Sequence, residues 1–83
     1  MTPENQKYYD SLLDMFATDG WKEFNRDFSD SLRGLIDNSY NECHKSKDWH
    51  KRRGEIEQLT RLVNYENMIR QSLEQLEADD DFV

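Results

Sequence analysis

The chain has 83 residues, a net charge of -7, one cysteine, and equal shares (35%) of hydrophobic and charged residues. A chain of this length forms at most one domain with a thin core, and a lone cysteine excludes an intramolecular disulfide. There is no apolar run of the ~18 residues that a membrane span needs and no secretory signal pattern, so we expect a protein that works without a membrane.

The first predicted helix starts at Thr2-Pro3-Glu4. Thr2 suits the N-cap, Pro3 the first helical position, and Glu4 the positive end of the helix dipole. Apolar residues then recur every three or four positions, which predicts a helix over about 3–17: Tyr8, Tyr9, Leu12, Leu13, Met15 and Phe16. Thr18-Asp19-Gly20 is expected to end this helix and cap the next one, with Gly20 suited to a left-handed conformation.

A second apolar series predicts an amphipathic helix over about 20–45. Its members are Trp21, Phe24, Phe28, Leu32, Leu35, Ile36, Ser39 and Cys43. Gly34 and the Asp37-Asn38-Ser39 stretch are poor helix formers. A break of this helix near 37–39 is therefore left open as an alternative.

A third apolar series predicts a long helix over about 49–78, with Asp48 as its N-cap. From Leu59 onward, positions 59, 62, 66, 69, 73 and 76 form a seam that only Glu66 interrupts. Residues 79–83 follow as an acidic tail. No segment alternates with a period of two, so the predicted fold is all-α. We expect a single domain over 1–83, in which a short N-terminal helix packs on an antiparallel hairpin of two long helices.

Positive charge is concentrated where the second and third helices are predicted to meet. Residues 45–53, here called the basic bend, hold five of the 11 Lys and Arg residues and one Asp. Their local charge of +4 leaves -11 for the rest of the chain. Lys45 and Lys47 suit the negative end of the second helix dipole, whereas the three cations at 51–53 need acids elsewhere or a partner.

Three interpretations of the basic bend remain open. Its charges could be offset by Glu42, Glu55 and Glu57 in a solvated turn, or they could bind an acidic protein surface. Nucleic acid is a further ligand for the bend, although it is disfavoured by the charge of -11 elsewhere. The predicted partner-binding residues are Lys45, Lys47, Trp49, Lys51, Arg52 and Arg53.

The two tryptophans are each predicted to begin a helix. We interpret Trp21 and Trp49 as corners of a small core, with an anchoring role in an interface as the alternative. Because the core is thin, support from self-association or from a partner is expected.

No residue pattern indicates catalysis. A glycine-rich phosphate loop, an HExxH motif and a nucleophile with an evident base are all missing from the sequence. Cys43, His44 and His50 are too few for a zinc site, which needs four ligands, so Cys43 is predicted to be a small core residue. We expect no enzymatic activity, no cofactor and no metal.

Three stretches carry a resemblance to a known group. They are Met1-Thr2-Pro3-Glu4 before Tyr8-Tyr9, FATDGWKEF at 16–24, and RRGEIEQLTRLVNYENMIR at 52–70. In these the chain resembles small helical proteins encoded among the structural genes of tailed bacteriophages, particularly podophages related to the T7 group. The resemblance implies a phage origin and a non-enzymatic structural or adaptor role, located in the virion or the host cytoplasm.

An alternative to the structural role is a regulatory one. A phage-encoded regulator could bind a host enzyme such as RNA polymerase, with its acidic faces imitating the charge of DNA. The two roles differ in where the protein is found during infection.

Overall fold

A computed structural model describes residues 1–81 and shows four helices: α1 (Pro3–Phe16), α2 (Asp19–Glu42), α3 (Ser46–Val63) and α4 (Tyr65–Asp81). These residues contain no strand, which confirms the all-α prediction. Within the same range, no helix combines the length and the apolar character that crossing a membrane requires.

The chain divides into two compact units. The first unit joins Met1–Lys22 to the segment that starts at Tyr65, and in it α1 packs against α4. The second unit, Glu23–Asn64, holds most of α2 and all of α3. The single domain over 1–83 and the packing of the first helix on a two-helix hairpin stay predictions.

The start of α1 and the junction with α2 largely follow the sequence. The Thr2 side chain accepts a hydrogen bond from the Asn5 amide at 3.1 Å, which confirms Thr2 as the N-cap. The Thr18 hydroxyl accepts from the Trp21 amide at 3.1 Å and caps α2. The left-handed conformation suggested for Gly20 is wrong, because no glycine in residues 1–81 has a positive φ and Gly20 lies inside α2.

Helix α2 runs unbroken from Asp19 to Glu42, so the alternative break near 37–39 does not occur. Ser39 is buried, and its hydroxyl donates to the Leu35 carbonyl one turn earlier, at 2.6 Å. This bond satisfies the polar side chain inside the helix. Asp37 and Asn38 point into solvent, where poor helix propensity alone does not end a long helix.

The segment predicted as one helix over 49–78 differs most from the structure. It is divided at Asn64, which leaves the helical conformation with φ -91° and ψ 4°, and the preceding helix starts at Ser46. Asparagine favours such a position because its short polar side chain competes for backbone hydrogen bonds. Of the predicted acidic tail at 79–83, residues up to Asp81 belong to α4, and Phe82 and Val83 lie outside the described residues.

The core of the first unit is an aromatic cluster around Phe16. Phe16 is only 3% exposed, and its ring centroid lies 5.0 Å from that of Trp21 and 6.0 Å from that of Tyr65. The Arg70 guanidinium lies 5.7 Å from the Phe16 ring centroid, within range of a cation–π interaction. Trp21 is therefore a core residue, as its sequence position indicated.

Glu66, the polar residue that interrupts the apolar seam, takes part in this cluster. Its carboxylate accepts from Trp21 Nε1 at 2.8 Å and from Arg70 Nε at 2.9 Å. The hydrogen bond from Trp21 and, next, the interaction with Arg70 lower the pKa of Glu66, against an opposing contribution from partial burial. The charged carboxylate thus ties α4 to the first turn of α2.

We expect this carboxylate to make the stability of the protein depend on pH in the acid range. Because the folded state lowers the pKa of Glu66, its contribution is complete above the ordinary glutamate pKa of 4.5 and is lost as pH falls through the lower pKa of the folded state. Glu66→Gln should lower the melting temperature at neutral pH, and the difference from wild type should shrink on acidification. Melting curves from pH 7 to about pH 3 measure this; a constant difference would contradict it.

Candidate protein-binding surface

The basic bend lies where α2 ends and α3 begins. Residues 43–45 connect the two helices, and residues 46–53 form the first two turns of α3. Lys45 is the N-cap residue of α3, in an extended conformation with φ -126° and ψ 157°. Lys47 lies in the first turn of α3, at the positive end of that helix dipole, which does not stabilise a cation there.

Asp48 fixes the start of α3, although not as the N-cap that the sequence indicated. Since α3 starts at Ser46, Asp48 is the third helical residue. Its carboxylate accepts from the backbone amides of His44 and Lys45 at 3.3 and 3.2 Å. A carboxylate at this position satisfies amides that the helix itself leaves unpaired, so the connection between the helices is held in place.

Arg52 of α3 makes polar contacts with α2. Its side chain is only 12% exposed, and its guanidinium donates to the Leu35 carbonyl at 3.1 Å and to the Glu42 carboxylate. A third contact, to Glu55, measures 3.4 Å. The hydrogen bond with Glu42 raises the pKa of Arg52 further above its ordinary high value. The structure therefore gives Arg52 an intramolecular role that the partner-binding prediction did not include.

Arg53 differs from its neighbour in exposure and in the helices that its contacts join. Its side chain is 78% exposed, and its one ion pair in the described residues joins it to Glu57 at 3.3 Å. An exposed pair four residues apart on a helix contributes little and exchanges readily with water or another acid. Arg53 thus remains available to a partner.

The three lysines of the bend are exposed. Within residues 1–81, neither Lys45, Lys47 nor Lys51 forms an ion pair. The acids named in the solvated-turn interpretation are therefore used by the two arginines: Glu42 and Glu55 by Arg52, and Glu57 by Arg53.

Trp49 is not the core residue that we expected. It is 42% exposed, and its ring meets that of Tyr40 edge-on, with centroids 5.7 Å apart and planes at 76°. Tyr40, in the last turns of α2, is 84% exposed. Trp49 of the basic bend and Tyr40 of α2 thus form an aromatic pair on the surface. Trp and Tyr are enriched among the residues that dominate binding energy at protein interfaces.

Tyr40 was missed by sequence reasoning. It follows Ser39 and so falls outside the apolar series of α2, on the solvent side of an amphipathic helix. An aromatic residue at a position that the helical period assigns to solvent is the signal that could have identified it.

Cys43 is buried, which confirms its assignment as a small core residue. Its thiol lies 3.7 Å from the Asp48 carbonyl oxygen, within the range of a weak S–H hydrogen bond. In the part of the chain that the structure describes, no three His, Cys, Asp or Glu side chains are grouped so that they could hold a metal ion.

Comparison with protein-family models, with curated proteins and with solved structures finds no match to this chain.

Proposed function

We propose that this chain is a non-enzymatic structural or adaptor protein of a tailed-phage particle, which binds larger virion proteins through its helical faces and its basic bend. The phage setting follows from the sequence resemblance described above. The binding role is supported by the structure of the helices themselves.

Exposed apolar side chains carry this proposal. Among the described residues, the buried hydrophobic side chains are Tyr9, Phe16 and Cys43 alone. Every helix exposes at least one large apolar side chain: Tyr8 and Met15 on α1, Phe24, Ile36 and Tyr40 on α2, Trp49 and Leu62 on α3, and Met68 on α4. With so few side chains buried and large apolar ones left on every helix, a partner that covers them removes apolar area from water and stabilises the complex.

We further propose that α2 and α3 of the second unit form an antiparallel hairpin with the basic bend at its tip. Contacts across the bend support this arrangement: Tyr40 meets Trp49, and Arg52 reaches back to Leu35, 17 residues earlier. A hairpin tip projects beyond the rest of a helical pair, so its side chains are accessible to a larger partner.

The adaptor role predicts that the protein is found in purified phage particles. Mass spectrometry of particles after stringent washing should detect it at a fixed copy number relative to the known structural proteins. Presence only in early-infection lysate, with none in washed particles, would contradict this role.

The regulator of a host enzyme remains the second candidate. Its supporting observation is the charge of -11 outside the basic bend, which would suit an enzyme surface that binds DNA. The particle experiment separates the two candidates, since a regulator acts early and has no reason to be packaged at a fixed copy number.

A further inference from the structure

We infer that one face of the basic bend, made of Lys45, Trp49 and Arg53 together with Tyr40, binds an acidic protein segment that carries an aromatic or apolar side chain. The inference rests on the proposed adaptor function and names the chemistry of its partner. It also divides the six predicted partner-binding residues into three groups with different roles.

The face follows from helix geometry. The Trp49 amide donates to the Lys45 carbonyl at 3.2 Å, which places Lys45 one turn before Trp49, and Arg53 lies one turn after it. Residues four apart share one side of a helix, so the three side chains form a cation–aromatic–cation stripe, which Glu57 continues one turn further on as the acid paired with Arg53. Lys47 and Lys51 lie two residues from Trp49 on either side, which places them on the opposite side of α3. Arg52 is held by Glu42 and Leu35 inside the hairpin.

The stripe is exposed and lies on a backbone that contacts hold in place. Lys45 has no ion pair in residues 1–81, and Arg53 has only the exposed contact to Glu57. The ring of Trp49 is already held by Tyr40, while Asp48 and Arg52 fix the backbone on which the stripe lies. A partner therefore meets a fixed backbone and an aromatic pair already in contact, while the exposed Lys45 and Arg53 side chains still lose rotamer freedom on binding.

Charge and residue type together select the partner. The two cations flank an aromatic pair, which suits a segment in which carboxylates flank an apolar side chain. Trp, Tyr and Arg are the residue types most enriched at the centres of protein interfaces. A nucleic acid fits less well, because its affinity grows with the number of phosphates neutralised, and this face offers two cations on a chain of net charge -7.

Fluorescence anisotropy with defined probes tests the inference on the full chain. The probes are a short labelled peptide of alternating Glu and Phe, the same peptide with every Glu replaced by Gln, and a labelled oligothymidylate. Wild type should bind the Glu–Phe peptide about tenfold more tightly than its Gln counterpart, and salt should weaken this binding. A wild-type protein that binds no peptide would overturn the inference, as would equal affinity for the two peptides.

Two double variants with the same change of charge provide the matched comparison. Lys45→Ser with Arg53→Ser should weaken binding of the Glu–Phe peptide about tenfold, whereas Lys47→Ser with Lys51→Ser should change it about twofold at most. Tyr40→Ser should also lower the affinity for the Glu–Phe peptide about tenfold. Circular dichroism should show this variant folded, because Tyr40 is mostly exposed.

Equal losses of affinity in the two double variants would show general charge attraction and overturn the assigned face. Tighter binding of oligothymidylate than of the peptide would assign the face to nucleic acid instead.

The outcomes for the surface and for the adaptor role are separable. If peptide discrimination holds but the protein is missing from washed particles, the face stands and the adaptor role fails. If the protein is packaged but Tyr40→Ser and the Lys45/Arg53 double variant bind the peptide like wild type, the adaptor role stands and the face is wrong.

Discussion

Replacement of Phe16 by Ala should lower the free energy of unfolding by about 3–5 kcal/mol, the usual range for a buried phenylalanine. Phe16 is 3% exposed, and it contacts Trp21, Tyr65 and the Arg70 guanidinium. Its removal leaves a cavity at the centre of the first unit and withdraws the aromatic face beneath the Arg70 cation. Since native proteins have a stability of only about 5–15 kcal/mol, this loss is a large fraction of the total, and the midpoint of unfolding should fall accordingly.

The same substitution at Phe24 is the matched control. Phe24 is 41% exposed, and its ring contacts Phe28 with centroids 4.4 Å apart. Phe24→Ala removes the same number of atoms from a site that solvent can refill, so we expect a loss of about 1 kcal/mol. Urea unfolding followed by circular dichroism measures both variants. Similar losses at the two positions would mean that the Phe16 cluster is not the core of the first unit.

Arg52→Ala should lower the melting temperature by roughly 5–10 °C, as the loss of a structural contact does in a domain of this size. The substitution removes the hydrogen bonds to the Leu35 carbonyl and the Glu42 carboxylate, and so removes the polar contacts between α2 and α3 that Arg52 makes. Arg52→Lys should restore only part of the loss, because an ammonium cannot reproduce the planar arrangement of guanidinium donors.

Arg53→Ala is the control for this prediction, since the two residues are adjacent and chemically identical. Its exposed pair with Glu57 contributes little, so the melting temperature should change by about 2 °C or less. Thermal melts followed by circular dichroism compare the two variants. If Arg53→Ala destabilises the protein as much as Arg52→Ala, the structural role assigned to the contacts of Arg52 with α2 is wrong.

The pattern of apolar residues predicted the helical segments well, but it did not predict the break between α3 and α4. The three- and four-residue spacing located α1 and α2 within a few residues, and Thr2 identified the first N-cap, because these features are local. The same spacing continues through Asn64 with hardly any change of phase. A break of one residue does not disturb a helical period, so α3 and α4 were predicted as one helix.

Glu66 is an exception to the apolar pattern that only the packing of the helices explains. The sequence places a carboxylate in an apolar seam and gives no reason for it. In the structure the carboxylate accepts from the indole of Trp21, which lies 45 residues earlier in the chain. A contact between residues so far apart depends on how the helices pack, which local spacing does not encode.

The sequence by itself determined that this protein is helical, where its apolar faces lie, and that its cations gather at the connection of α2 and α3. Only the tertiary structure decided which members of chemically identical pairs are partly covered by another helix: Trp21 rather than Trp49, and Arg52 rather than Arg53. An amphipathic pattern shows which side of a helix is apolar, but burial requires another element to cover that side. Trp21 and Arg52 meet such elements within their units, whereas Trp49 and Arg53 remain largely on the surface.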